Sequence, residues 1–121
     1  MERKYISVFT SGTYRLVKLD DVSYFEAWSH VVKVHCHDQI DVNGNLDVPY
    51  VRQPLHLLCS TLDPETFCQI SRSYLISLDH VLGYDRYEVM MDDPFHKSII
   101  IGDKYRKAFW NEIRKRSLFG N

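Results

Sequence analysis

Residues 67–80 read FCQISRSYLISLDH. Phe67, Ile70, Leu75, Ile76 and Leu78 are apolar, and Val81 continues the run. Ser71, Arg72 and Ser73 stand together in its middle. A polar triplet inside an apolar run describes a buried segment that surfaces briefly and offers hydrogen bonds there. An arginine in such a place must reach the surface or be paired, because burying a lone guanidinium is too costly. One reading therefore presents Arg72 to a ligand. The other pairs it with a carboxylate to hold the core together.

The rest of the chain narrows the choices. Its 121 residues suit one domain with a sizeable core, here taken as residues 1–121 with the core at about 5–116. Hydrophobic residues make up 45% and charged residues 26%, an ordinary globular composition rather than a disordered one. No apolar run is long enough to span a bilayer, and the start, Met1 to Tyr5, is too short and polar for a signal peptide. Cys36, Cys59 and Cys68 form no close-spaced pair, which suits a reduced cytoplasm better than a disulfide framework. Net charge is −1, but its distribution is uneven. Between Lys104 and Arg116, six bases face one acid, Glu112, so this segment carries +5 and the remainder −6. That asymmetry fits a basic edge on an acidic body, and equally a solvated terminal helix.

Tyr5 to Thr10 and Tyr14 to Leu19 alternate apolar and polar residues around Ser11-Gly12-Thr13, which predicts a hairpin. Val22 to Ala27 begins a further strand, and Trp28-Ser29-His30 interrupts it before Val31 to His37. In that second strand Val32, Val34 and Cys36 share one face, and Lys33, His35 and His37 the other. Residues 38–47 are rich in Asp, Asn and Gly and predict a loop or protruding hairpin around Asn43-Gly44. An extended path resumes at Val48. A helix follows with Pro54 at its first position and Leu55, Leu58 and Leu62 inward. Residues 87–91 and 96–101 predict a second hairpin through Asp92-Asp93-Pro94. A last helix runs from about Lys104 to Leu118, with Tyr105, Phe109 and Ile113 toward the sheet. The body is mainly β, with two short helices.

Three stretches carry a family resemblance. Phe67, the Arg72-Ser73-Tyr74 step and the apolar run into Leu78-Asp79-His80 resemble the middle of the LytTR DNA-binding domain. Leu19 to Ala27, LDDVSYFEA, is similar to that family's entry into its first long hairpin, and Lys104-Tyr105-Arg106-Lys107 to its closing basic helix. The resemblance spans about residues 5–116. It implies an elongated domain of three small antiparallel sheets with two short helices. It also implies sequence-specific binding of double-stranded DNA in bacterial transcription, as the output module of a two-component response regulator. Paired direct repeats bound by a homodimer are implied as well, with a receiver domain or membrane segment in a longer parent chain.

By the same resemblance His30, at the Trp28-Ser29-His30 corner, enters the major groove and Arg72 a neighbouring one, so that the two read base edges in successive grooves on one face of the duplex. Imidazole donates to or accepts from a base, and arginine forks onto guanine. For His30 the alternative is a solvent-exposed loop histidine. Ser29, Lys33, Arg52, Ser71, Ser73 and Arg106 are the expected phosphate contacts. Ser71 stands where the family commonly has His. The third surface departs further: Gly102-Asp103 replaces the usual Ser-Arg, so Lys104, or else Arg106, is left to supply that contact. Asp103 is expected to cap the last helix, or else to accept from a cytosine amine. Residues 38–47 read as an insertion.

Other chemistries have thinner support. His35 and His37, at i and i+2 on one strand face, are two metal ligands without a third at sensible spacing. Cys68, Ser71 or Ser73 near Asp79-His80 imitates a hydrolase, but neighbours on an extended segment point apart. No glycine-rich phosphate loop is present, and no cofactor or small-molecule substrate is implied. The competing reading is a β-rich protein-interaction module whose basic C-terminal helix docks an acidic partner.

Overall fold

The computed structural model describes residues 4–39 and 48–118, so most of the expected 38–47 insertion, including Asn43-Gly44, lies outside them. The elements in chain order are β1 (Tyr5–Thr10), β2 (Thr13–Lys18), β3 (Val22–Trp28), β4 (Val31–Cys36), β5 (Tyr50–Val51), α1 (Leu55–Thr61), β6 (Phe67–Gln69), β7 (Tyr74–Ser77), β8 (Val81–Tyr84), β9 (Glu88–Met91), β10 (Ser98–Ile100) and α2 (Arg106–Arg116). Short 3-10 turns occupy Leu19–Asp21, Leu78–His80 and Asp103–Tyr105.

The strands form two antiparallel sheets rather than the expected three. One has seven strands in the order β2-β1-β5-β4-β3-β7-β6, and the other three in the order β10-β9-β8. The difference comes from β5. Its two residues pair on one side with β1, Phe9 opposite Tyr50, and on the other with β4, Val32 opposite Val51 and Lys33 opposite Tyr50. This short bridge fuses the first hairpin to the central strands, whereas the sequence shows only a nondescript Tyr50-Val51. The β1–β2 hairpin is as expected, closed by Ser11 and Gly12 at φ of 50° and 78°. A two-residue turn with both residues at positive φ matches the twist of the strands it joins.

The large sheet is a partition between two cores. Phe25, Leu75 and Phe67, on β3, β7 and β6, face a cluster with Val8, Val34, Leu55 and Leu58, so α1 covers that side. Tyr24, Ile76 and Cys68, one step along the same strands, face the three-stranded sheet and α2 through Val89, Met91, Ile99 and Phe109. Strands buried on both faces read as continuous apolar runs, which accounts for the composition around Phe67–His80. A bulge between Val22 and Tyr24 breaks the two-residue alternation, so Val22 through Phe25 are all buried.

The helices begin later than the sequence suggests. Pro54 is the N-cap of α1, held extended at ψ 150°, and Leu62 is the C-cap, partly buried against the core. The last helix becomes α-helical only at Arg106, after the Asp103–Tyr105 turn. Phe109 is wholly buried, with Tyr105 and Ile113 beside it in the second core.

Candidate nucleic-acid interface

Three segments meet at one end of the large sheet, and two backbone bonds bring them together. The first segment is the Ser29-His30 turn, which joins β3 to β4 where Trp28 pairs with Val31. The second is the Ile70–Ser73 loop between β6 and β7. Antiparallel pairing of β3 with β7, Glu26 opposite Tyr74, brings both to the same edge. The Ala27 N–H then donates to the Ser73 carbonyl at 2.8 Å. The third segment, Gly102 to Lys104, joins on the loop's other side, where the Gly102 N–H donates to the Ile70 carbonyl at 2.8 Å. A β-carbon at 102 would sit 3.1 Å from the Tyr105 ring, so glycine spares that ring a tight contact. The Arg72 loop is thus flanked by the His30 turn and by the start of the C-terminal helical region.

His30, Arg72 and Lys104 are all exposed. No hydrogen bond or ion pair engages the Arg72 side chain among the described residues, so the reading that pairs it within the core is set aside. The loop beneath it is prefolded: the Ser71 hydroxyl accepts from the Ser73 N–H at 3.2 Å, and the Gln69 side chain donates to the Ser71 carbonyl at 3.0 Å. Ser29 holds a φ of 55°, a costly conformation for a residue with a β-carbon. As at Ser11, a positive φ at the first residue of a two-residue turn suits the twist of the strands it joins.

The expected phosphate contacts divide into two groups. Arg52 is exposed just past β5, beside Phe9 at 6.0 Å, and pairing of β5 with β4 puts it at the same end as His30. Lys33 lies on the sheet face with its ammonium 4.0 Å above the Trp28 ring. Arg106 is instead engaged within the fold, paired with Asp103 at 2.7 Å and stacked 4.9 Å from the Tyr87 ring. The expected helix cap by Asp103 is therefore corrected. Neither the 3-10 turn nor α2 has a side-chain cap, and the exposed carboxylate neutralises Arg106 instead. Other charge in the basic segment is also spent internally. Lys115 pairs with Glu112, while Arg116 bonds to Asp79 and to the Glu65 carbonyl.

The residues behind the competing chemistries are occupied elsewhere. His35 bonds to Glu26 at 2.9 Å and stacks on Tyr24, while His37 stacks on His80. Among the described residues no group of three or more His, Cys, Asp or Glu is arranged to hold a metal ion. Burial pushes the Cys68 thiol up to about 11, far from the thiolate a nucleophile needs. No described helix is long and apolar enough to cross a membrane.

A feature the sequence reading missed ties the turn and the loop together from within the sheet. Glu26 accepts from the Tyr74 hydroxyl at 2.9 Å with one carboxylate oxygen and meets His35 with the other. In sequence the only trace of it is an acid at an alternating position two residues before the Trp28 corner.

The described fold is similar to that of a Bacillus cereus structure, the LytTr DNA-binding domain of a methyl-accepting/DNA response regulator. The TM-score is 0.73 at 14% identity, covering 92% of this chain and 97% of the other. No curated protein matches the chain. The sequence pattern of the LytTr DNA-binding domain matches residues 12–114. The chain belongs to the LytTR family of DNA-binding domains.

Proposed function

We propose that the chain is a sequence-specific double-stranded DNA-binding domain of a bacterial transcriptional regulator, acting in the cytoplasm as the output module of a response regulator. The observation that carries this reading is the gathering of the His30 turn, the Arg72 loop and the Lys104 segment at one edge by the Ala27–Ser73 and Gly102–Ile70 backbone bonds. Phosphate contacts position such a protein and base contacts specify the site. Exposed His30 and Arg72 read base edges, with Lys104 at the third surface. Ser29, Lys33, Arg52, Ser71 and Ser73 hold phosphates and set the register. Arg106 joins them only when released from Asp103. Readout is by loops rather than by a helix laid in the groove, and two copies bind paired direct repeats.

The family is one of DNA-binding domains rather than enzymes. A basic helix docking an acidic partner has less support, because Arg106, Lys115 and Arg116 already spend charge on Asp103, Glu112 and Asp79. The test is selection of bound duplexes from a random pool, followed by anisotropy titrations at several salt concentrations. With Lys33 and Arg52 neutralising phosphates, and Arg72 and Lys104 adding positive charge at the duplex, log K falls with log salt at a slope of roughly −2 to −4. A slope near zero, or no enriched sequence, overturns the reading.

A further inference from the structure

The Glu26 carboxylate lies on β3, directly opposite Tyr74 on β7 and Lys33 on β4. Lys33 is the obvious cross-strand partner, yet its ammonium sits over Trp28 and no ion pair to Glu26 forms. One Glu26 oxygen instead takes the Tyr74 hydroxyl at 2.9 Å, and the other takes His35 Nε2 at 2.9 Å. Glu26 and His35 keep only 17% and 13% of their side-chain surface exposed, so both bonds are sheltered from water. The His35 ring stacks nearly parallel on Tyr24, 4.3 Å between centroids, which fixes the imidazole and hence the carboxylate.

The placement of these bonds points beyond the core. Tyr74 opens β7 two residues after Arg72, and Glu26 precedes the Trp28 corner by two residues. Ala27, between Glu26 and Trp28, donates its N–H to the carbonyl of Ser73, between Arg72 and Tyr74. One backbone bond and one charge-assisted side-chain bond therefore clamp the roots of both candidate reading segments to each other. Bonds to a charged acceptor are shorter and stronger than neutral ones. Groove readout needs such rigidity, because small misplacements of a site's side chains cost much of its discrimination.

We propose that Glu26 is a positioning residue for DNA readout, holding the Arg72 loop in register with the His30 turn through the Tyr74 hydroxyl. This rests on the duplex-binding reading above. Glu26 touches no base. It acts by limiting the orientations that Arg72 samples before it meets the groove.

The test uses Tyr74→Phe, which keeps the ring and deletes the donor, and Glu26→Gln, which keeps an acceptor oxygen for Tyr74. Anisotropy on the selected duplex and its single-base variants is read beside thermal melting and the salt slope. Tyr74→Phe is expected to weaken the selected duplex by about 3- to 10-fold, the range one net hydrogen bond supplies. The loss falls on preference at the base pairs that Arg72→Ala also relaxes, with random-sequence binding and the salt slope unchanged. Glu26→Gln retains most of that preference. The assignment is overturned if Tyr74→Phe leaves base preference intact, or weakens all duplexes equally in step with a lowered melting temperature. A wild-type protein with no preference among duplexes overturns the duplex reading itself, and this assignment with it.

Discussion

The Tyr24 hydroxyl donates a 2.9 Å hydrogen bond to Oδ2 of Asp93, across a separation of 69 residues and in the interior. Asp93 sits between β9 and β10, where its other oxygen accepts from the N–H groups of Phe95 and Lys97 at 3.1 and 2.9 Å. One buried carboxylate thus organises the connection of the small sheet and pins it to the large one. Burial, followed by the bond to Asp93, pushes the Tyr24 hydroxyl above its ordinary value, so it remains a donor throughout the working pH range. Tyr24→Phe removes the only side-chain donor to Asp93 among the described residues and leaves a buried charge partly unpaired. We expect a loss of about 1–3 kcal/mol of stability, read by chemical denaturation. An unchanged midpoint would show that the two sheets dock without this bond.

Arg72 is exposed and has no side-chain partner among the described residues, so its removal should spare the fold. Arg72→Ala is expected to cost about 1–3 kcal/mol on the selected duplex and to relax preference at one or two positions. Lys33→Ala should weaken all sequences about equally, because a phosphate contact carries no base information. Uniform weakening by Arg72→Ala would reassign that arginine to the backbone.

Asp103 holds Arg106 at 2.7 Å and is itself largely exposed. Asp103→Asn removes the carboxylate's negative charge, leaving Arg106 free to reach a phosphate. Binding should tighten on all duplexes, and the salt slope should steepen by about 0.9, the increment for one additional phosphate. Little stability should change, since exposed ion pairs contribute about 0–1 kcal/mol. Loss of discrimination at a single G·C pair in this variant would make Asp103 a base reader instead.

His35 gives the fold a pH dependence. Burial holds its imidazole below the ordinary value against the opposing pull of Glu26, so the folded protein binds this proton less readily than the unfolded chain. A base with a depressed folded value leaves stability at its full level above about 6.5, the unfolded value. Stability then declines as pH falls below that point, because the unfolded state takes up the proton first. Melting temperatures between pH 7.5 and 5.5 should therefore drop, and drop less in His35→Gln, which retains a donor for Glu26 but does not titrate. An equal drop in both proteins would place the acid sensitivity elsewhere.

Much of the architecture was legible from local pattern. Alternation marked β1, β2 and β4 and correctly sorted Val32, Val34 and Cys36 from Lys33 and His35, because a strand's faces are set by the chain's own two-residue period. The Ser11-Gly12 turn and the inward row at Phe109 were equally local. The polar triplet in Phe67–His80 announced a surfacing loop, since buried strands tolerate such residues only where they emerge. The LytTR assignment was visible in the same stretch.

Tertiary structure decided the rest. Two residues of β5 have no signature of their own, and only their partners on β1 and β4 made one sheet from two. Asp103 looked like a cap until folding supplied Arg106 at bonding distance, and the polar oxygens of Glu26 and Asp93 had no readable partners in sequence. The physical reason is range. Side-chain period and turn chemistry act over a few residues and are written in the chain. Which carboxylate meets which donor depends on strand register between segments 48 and 69 residues apart, and only packing sets that.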